Sequence, residues 1–176
     1  MAQLGGQKLR RVVYSEKDIA DRVKEMGRSI SETYTAEDDL LVLGLLKGSF
    51  IFLADLVREI QVPLHVDFLV ASSYGAGTVS SGNVQLLYDP DASLADRAVL
   101  IVEDIIDSGN TMNRLLPLLA ARGPKSLEIC ALLHKRIGAL AKDARWVGFE
   151  PPKEFLVGYG LDYSENFRHL PYIGSL

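Results

Sequence analysis

Between Val99 and Thr111 an apolar run, Val99-Leu100-Ile101-Val102, delivers two adjacent acids, Glu103 and Asp104, and then a third, Asp107. The small turn Ser108-Gly109-Asn110-Thr111 follows. Such a buried strand carries carboxylates to its carboxyl end, and the turn after it opens into a helix. Backbone amides at a helix start lack intrahelical partners, and with the positive end of the dipole they attract an anion. Gly109 allows the tight backbone, with positive φ where required, of a phosphate-cradling turn. Ser108 and Thr111 add hydroxyl donors. Carboxylates beside such a site repel phosphate unless they have other work, such as binding sugar hydroxyls, a metal or a proton. Phosphate, polyol and acid chemistry in one turn point to a phosphorylated sugar as ligand.

The elements that must position these residues are readable along the chain. Ser15 and Asp18 form a capping-box pattern, and Ile19, Val23, Met26 and Ile30 follow at helical spacing. The run Leu40 to Leu46 reads as a strand buried on both faces, broken by Lys47-Gly48-Ser49. Phe50, Leu53, Leu56, Val57 and Ile60 form the inner stripe expected of a second helix, and Leu64 to Ala71 a further strand. The polar, glycine-rich stretch Ser72 to Gly82 reads as a lid beginning at Ser73 and Tyr74, with Val84 to Tyr88 as the returning strand. Ala98 to Glu103 is the acid-tipped strand. A helix over Thr111 to Arg122, kinked by Pro117, is closed by Gly123 and Pro124. Leu127 to Leu133 and Trp146 to Phe149 complete the strands. Strands alternating with helices predict an α/β fold, a mostly parallel twisted sheet flanked by helices. Ligands of such sheets bind beyond the carboxyl ends of the strands, where Lys47, Asp104, Asp107 and Lys135 are all expected. Trp146 is expected near the outer wall of the ligand pocket.

Bulk properties agree with one compact domain. The chain has 176 residues, 48% of them hydrophobic, enough for a substantial core. A net charge of -4 with no block of like charge argues against a nucleic-acid surface. Cys130 is the single cysteine, which rules out an internal disulfide and suits a reducing cytoplasm. No apolar run is long enough to span a membrane.

The segment Val99 to Thr111 resembles the phosphoribosyl-pyrophosphate signature of type I phosphoribosyltransferases. The likeness extends through Leu46-Lys47-Gly48-Ser49, Ser73-Tyr74, Leu133-His134-Lys135-Arg136 and Val147-Gly148-Phe149-Glu150. It continues through Phe155-Leu156-Val157-Gly158-Tyr159-Gly160-Leu161-Asp162-Tyr163 to Phe167-Arg168, in the order and spacing of hypoxanthine-guanine phosphoribosyltransferases of the bacterial type. Five ordered motifs are far more specific than one acidic turn. The resemblance implies one phosphoribosyltransferase domain over 1–176, with a core at about 36–140 and a small hood from about 1–14 and 141–176. It implies purine salvage: hypoxanthine or guanine takes the ribose 5-phosphate of phosphoribosyl pyrophosphate, giving IMP or GMP plus pyrophosphate, with Mg²⁺. It also implies a cytoplasmic homodimer or homotetramer, and the helix from Phe50 to Ile60 is the expected interface.

Residue roles follow from the same resemblance. Asp107 is the expected general base for the purine N7 proton; without the motif it reads as a helix-capping carboxylate. Glu103 and Asp104 are expected on the ribose hydroxyls, directly or through the metal, and both face one ligand only if the strand is already ending. Ser108, Gly109, Asn110 and Thr111, with the Met112 amide, form the 5′-phosphate cradle. Asn110 stands where many relatives carry lysine, which shifts the load to backbone amides. Lys47 and Gly48 resemble the pyrophosphate loop, in which the Leu46–Lys47 peptide can be cis, and Arg168 clamps pyrophosphate. Lys135 is expected to donate to the purine O6, Phe155 to stack on the ring, the Leu156 backbone to read its edge, and Asp162 to face a second metal ion. His65, His134 and His169 have no metal-site spacing.

Two rival readings differ in class. A xanthine-preferring relative would differ around Leu156 and Asp162. A regulatory protein that kept the fold would show a basic face, an extra domain or a missing acid; this chain is acidic and keeps Asp107 and Lys135.

Overall fold

The structure, a computed structural model, describes residues 3, 4, 6–73, 84–88, 90 and 92–176. A short antiparallel ribbon, β1 (Gln3–Leu4) and β2 (Gln7–Lys8), leads into β3 (Arg11–Tyr14) and α1 (Glu16–Ser31). The Ser15–Asp18 box closes as expected: the Ser15 Oγ accepts from the Asp18 amide at 3.1 Å, and the Asp18 carboxylate accepts from the Ser15 amide at 2.9 Å. After a 3₁₀ turn at Ala36–Asp38 come β4 (Leu40–Leu46), α2 (Phe50–Glu59), β5 (Leu64–Ser73) and β6 (Val84–Tyr88). Then follow β7 (Ala98–Ile106), α3 (Asn110–Ala120), β8 (Ser126–His134), β9 (Trp146–Phe149), β10 (Leu156–Val157) and β11 (Ile173–Ser175).

Six strands form the main sheet in the order β6-β5-β4-β7-β8-β9. The five from β5 to β9 run parallel, and β6 is antiparallel at the edge. β4 and β7 lie at the centre and bury both faces, which is why their sequences are continuous apolar runs. Leu40, Val42, Leu100 and Val102 face α1 and α2 together with Phe52, Leu53 and Leu56. Leu41, Leu43, Val99 and Ile101 face α3 through Met112, Leu115 and Leu119. Cys130, in the middle of β8, is fully buried, and that burial pushes its thiol pKa up. A second sheet, β10-β11-β3, is built from the two ends of the chain and sits beside the carboxyl rim of the first.

Several expectations are corrected. β7 does not end at Glu103; pairing of Ile105 with Leu133 and Ile106 with His134 extends it past both acids. The inner stripe of α2 is Phe52, Leu53 and Leu56, continued by Ile60, whereas Phe50 at its start is 44% exposed. α3 spans Asn110–Ala120, with Pro117 inside it, rather than Thr111 to Arg122. Trp146 packs at 6.0 Å from Tyr34 and donates to Ser29 Oγ at 3.0 Å, on the α1 side of the sheet rather than at a ligand pocket. β5 continues to Ser73, paired with Val84, so Ser72 and Ser73 belong to a strand. The rest of the expected lid, with Tyr74, lies outside the described residues.

Candidate active site

The rim is assembled from the carboxyl ends of three adjacent strands: Lys47 and Gly48 after β4, Glu103 to Asn110 at and after β7, and Lys135 after β8. The Leu46–Lys47 peptide is cis, as the resemblance implies. β7 is still a strand at its acids, and the two carboxyls line different cavities while remaining within hydrogen-bonding reach of each other. Glu103 lines a small cavity of about 100 Å³ formed with Asp107 to Met112. Asp104 lines a neighbouring cleft of about 240 Å³ with Asp107, Lys135, Phe155, Leu156, Leu161 and Asp162. The acids thus face two cavities that share Ile105 and Asp107. Burial raises both carboxyl pKa values, Glu103 well above the usual range and with a further push from Asp104. The Glu103 Oε2 is buried and, among the described residues, has no hydrogen-bond partner. Two buried carboxyls in contact, one of them with an unpartnered oxygen, make a place where a hard cation is favourable, since oxygen donors satisfy it and it neutralises both. The described residues hold no cluster of three or more metal-binding side chains. A cation there therefore needs ligand oxygens or water to complete its shell.

The small cavity is the expected cradle. Gly109 caps α3 with φ +79°, a left-handed conformation that suits glycine, and it has no side chain of its own to cap the helix. Asp107 is therefore not the helix cap; it lies in the bend before it. The first intrahelical bond is from Asn113 N to Gly109 O, so the amides of Asn110, Thr111 and Met112 precede the ladder, and apart from the long contact of Asn110 with Ser108 Oγ they are placed to meet a ligand. The Ser108 Oγ lies 3.5 Å from the Asn110 amide.

In the larger cleft the Lys135 Nζ stands 3.4 Å from the Asp107 Oδ2. The Lys135 amide donates to Ile106 O at 2.9 Å, which fixes the root of that side chain to the end of β7. Phe155 is 55% exposed with its ring edge-on to Tyr163 at 5.7 Å, so one wall of the cleft is an open aromatic surface. Leu156 is buried, held by β11 through the Leu156–Ser175 pair.

The cationic side of the site is linked by ion pairs. Arg168 Nη2 meets Asp162 Oδ1 at 2.8 Å and Glu165 Oε2 at 3.2 Å, and its Nη1 donates to Gly160 O at 2.7 Å. Lys47 Nζ pairs with Glu165 Oε1 at 3.0 Å rather than lining the cleft of Asp104 and Lys135. Hydrogen bonds from Lys47 and then Arg168 hold the Glu165 carboxyl below its usual range. Gly48 packs directly on Asp104: a Cβ there would lie 1.8 Å from Asp104 Oδ2. Lys47, Asp162 and Arg168 are thus brought together, with Glu165 between two of them. Sequence reasoning missed Glu165, because nothing local marks an acid that pairs with a lysine 118 positions away. A groove of about 410 Å³ between α1 and α2, lined by Ile19, Val23, Ile51 and Tyr159, contains none of these acids or cradle residues.

Comparison with known proteins agrees with this geometry. Residues 12–164 match the family model described as a phosphoribosyl transferase domain. The chain is 48% identical over 167 residues to the hypoxanthine phosphoribosyltransferase of Salmonella typhimurium, covering 94% of each. It is 44% identical over 171 residues to the hypoxanthine-guanine phosphoribosyltransferase of Dictyostelium discoideum, covering 95% of each. A crystal structure of the Staphylococcus aureus hypoxanthine phosphoribosyltransferase superposes with a TM-score of 0.90 at 43% identity, over 96% of this chain and 91% of that one. The cradle, the acid-bearing β7 and the overall likeness coincide, and the chain belongs to the phosphoribosyltransferase family, on its hypoxanthine phosphoribosyltransferase branch.

Proposed function

We propose that the protein is a purine-salvage enzyme that transfers the 5-phosphoribosyl group of phosphoribosyl pyrophosphate to hypoxanthine and to guanine, releasing IMP or GMP and pyrophosphate. The observation that carries this is the pairing of Lys135 Nζ with Asp107 Oδ2 at 3.4 Å in a cleft that an exposed Phe155 also lines. A 6-oxopurine presents an acceptor, O6, beside N7, which must lose its proton as N9 becomes substituted. A donor-only ammonium next to a carboxylate complements that edge. An adenine amino group at the same position faces the ammonium donor to donor.

In this reading the amides of Asn110 to Met112, with Ser108, Gly109 and Thr111, hold the 5′-phosphate. Lys47, Gly48 and Arg168 receive the pyrophosphate. As the C1′–oxygen bond to pyrophosphate breaks, its electron pair leaves with the oxygen, and purine N9 forms the new bond to C1′. The N7 proton passes to Asp107, Lys135 donates to O6, Phe155 stacks on the ring, and the Leu156 backbone reads its edge. Glu103, Asp104 and Asp162 suit Mg²⁺ together with ligand oxygens. When bound, the ion supplies charge neutralisation for the pyrophosphate and the ribose hydroxyls. The three-stranded sheet serves as the hood of a single domain, and Ser73 and Tyr74 belong to a lid. The chain works in the cytoplasm as a homodimer or homotetramer, joined at the exposed face of α2 around Phe50.

The test is competition of hypoxanthine, guanine and xanthine for limiting phosphoribosyl pyrophosphate with Mg²⁺. Nucleotide formation from the first two, with the higher kcat/KM values, is the expected result. A dominant xanthine reaction, or no nucleotide from any base, overturns the reading.

A further inference from the structure

The turn that forms the cradle is backed by a segment that the reaction as described does not use. Between β8 and β9 the chain crosses the turn after β7 without regular structure. The contact is close enough to need glycine on both sides. A Cβ on Gly138 would stand 2.1 Å from Ser108 O, and one on Gly109 2.6 Å from Leu140 Cδ2. Asn113, on the second turn of α3, fastens this crossing segment. Its Nδ2 donates to Ala139 O at 2.8 Å, and its Oδ1 accepts from the Ala141 amide at 2.7 Å. One carboxamide thus pairs with two alternate residues, as a neighbouring strand would, and the reversed amide would set donor against donor.

We propose that Asn113 is a positioning residue for the phosphate cradle. By clasping 139–141 it presses the crossing segment against Ser108 and Gly109. That contact fixes the left-handed turn at Gly109, φ +79°, which aims the amides of Asn110 to Met112. The same segment begins at Lys135, so the clasp ties the base-reading lysine to the phosphate-holding turn. This inference rests on the reading of residues 108–112 as the 5′-phosphate cradle. The chemistry is specific to a side chain offering one donor and one acceptor. An ionised aspartate can accept from Ala141 but opposes Ala139 O, whereas a protonated one restores the donor.

The experiment compares Asn113→Leu and Asn113→Asp with the unsubstituted protein by initial rates at varied phosphoribosyl pyrophosphate and saturating hypoxanthine. Inhibition by inorganic pyrophosphate and thermal melting are measured alongside. Loss of two solvent-facing hydrogen bonds should raise KM for phosphoribosyl pyrophosphate about three- to tenfold in Asn113→Leu. The kcat should stay within about twofold and pyrophosphate inhibition should be unchanged, because Lys47 and Arg168 lie apart from the clasp. In Asn113→Asp the carboxylate, ionised across the assay range with an ordinary pKa of ~3.9, keeps the Ala141 contact but opposes Ala139 O, so KM should rise at least as far as in Asn113→Leu with kcat again within about twofold, a split that general loss of stability does not produce. It also keeps the test decisive if Asn113→Leu fails to fold. Unchanged KM in both variants, a kcat loss matching the KM rise, or an equal loss of pyrophosphate binding overturns the proposal. Thr111→Val separates the two levels. If it leaves KM for phosphoribosyl pyrophosphate unaltered, the cradle reading itself falls; if it raises KM while the Asn113 variants are silent, only the clasp does.

Discussion

Gly48→Ala is the sharpest single probe of the site. The added Cβ would lie 1.8 Å from Asp104 Oδ2, 2.5 Å from its Cγ and 3.0 Å from Oδ1. Favourable carbon contacts begin near 3.5 Å, so one partner must yield by roughly 1.7 Å. Neither can move freely. Asp104 is 8% exposed on a central strand, and the Gly48 carbonyl oxygen is backed by Gly160, whose own Cβ would meet it at 2.1 Å. Overpacking of this kind costs about 1–3 kcal/mol of stability. The displaced atoms belong to the proposed pyrophosphate loop and ribose acid, and a ~1 Å misplacement of reacting groups costs ~10²-fold in rate, about 2.7 kcal/mol. Initial rates at varied phosphoribosyl pyrophosphate should show kcat/KM falling on the order of a hundredfold, alongside a lower urea midpoint. Gly123→Ala is the control. It has positive φ, +71°, but nothing within 4 Å of the new Cβ, so it should cost about 1–2 kcal/mol of stability and leave kinetics intact. If Gly48→Ala keeps kcat/KM within threefold, the sandwich of Asp104, Gly48 and Gly160 does not govern the reaction.

Other perturbations separate the remaining roles. Asp107→Asn should lower kcat by ~10²–10⁴ with little change in KM for phosphoribosyl pyrophosphate; wild-type-like turnover would remove Asp107 as the base. Lys135→Met should reduce kcat/KM for hypoxanthine roughly 10–100-fold, the scale of one charged hydrogen bond, and relax the rejection of adenine; unchanged base selectivity would refute the O6 contact. Lys125 pairs with Asp38 at 2.6 Å, and hydrogen bonds from Lys125 and then Thr35 lower the Asp38 pKa to about 2. A folded-state pKa below the unfolded one gives stability that is present above pH 4 and lost as pH falls towards 2. Lys125→Met should raise the Asp38 pKa by NMR and flatten the loss of stability between pH 4 and 2; an unmoved Asp38 titration contradicts the pairing.

Much of this architecture was legible because parallel strands buried on both faces leave apolar runs, and β4, β7 and β8 are such runs. The Ser15–Asp18 box and the Gly109 turn are local devices, so spacing alone reveals them. What sequence hid is tertiary. β7 runs on through Glu103 and Asp104 because β8 pairs with it to Ile106, overriding the polarity that suggests a strand end. Phe50 stays outside because α2 begins there and turns Phe52 inward. Asn113 and Glu165 read as ordinary surface residues until partners 26 to 28 and 118 positions away are brought alongside. The site residues were found by motif, but their division between two cavities required the actual register of β7.

Cys130 offers a consequence of a different kind. It is the single cysteine in the sequence and lies between Val102 on one side and Trp146 on the other, each paired with it across the sheet. A small alkylating reagent reaches that sulfur only when neighbouring strands part, and the raised pKa leaves scarcely any thiolate for stray oxidants. The molecule therefore carries an internal clock. The speed at which Cys130 is trapped counts how often the middle of the sheet comes apart, and a bound nucleotide, by favouring the closed form, makes that clock run slow.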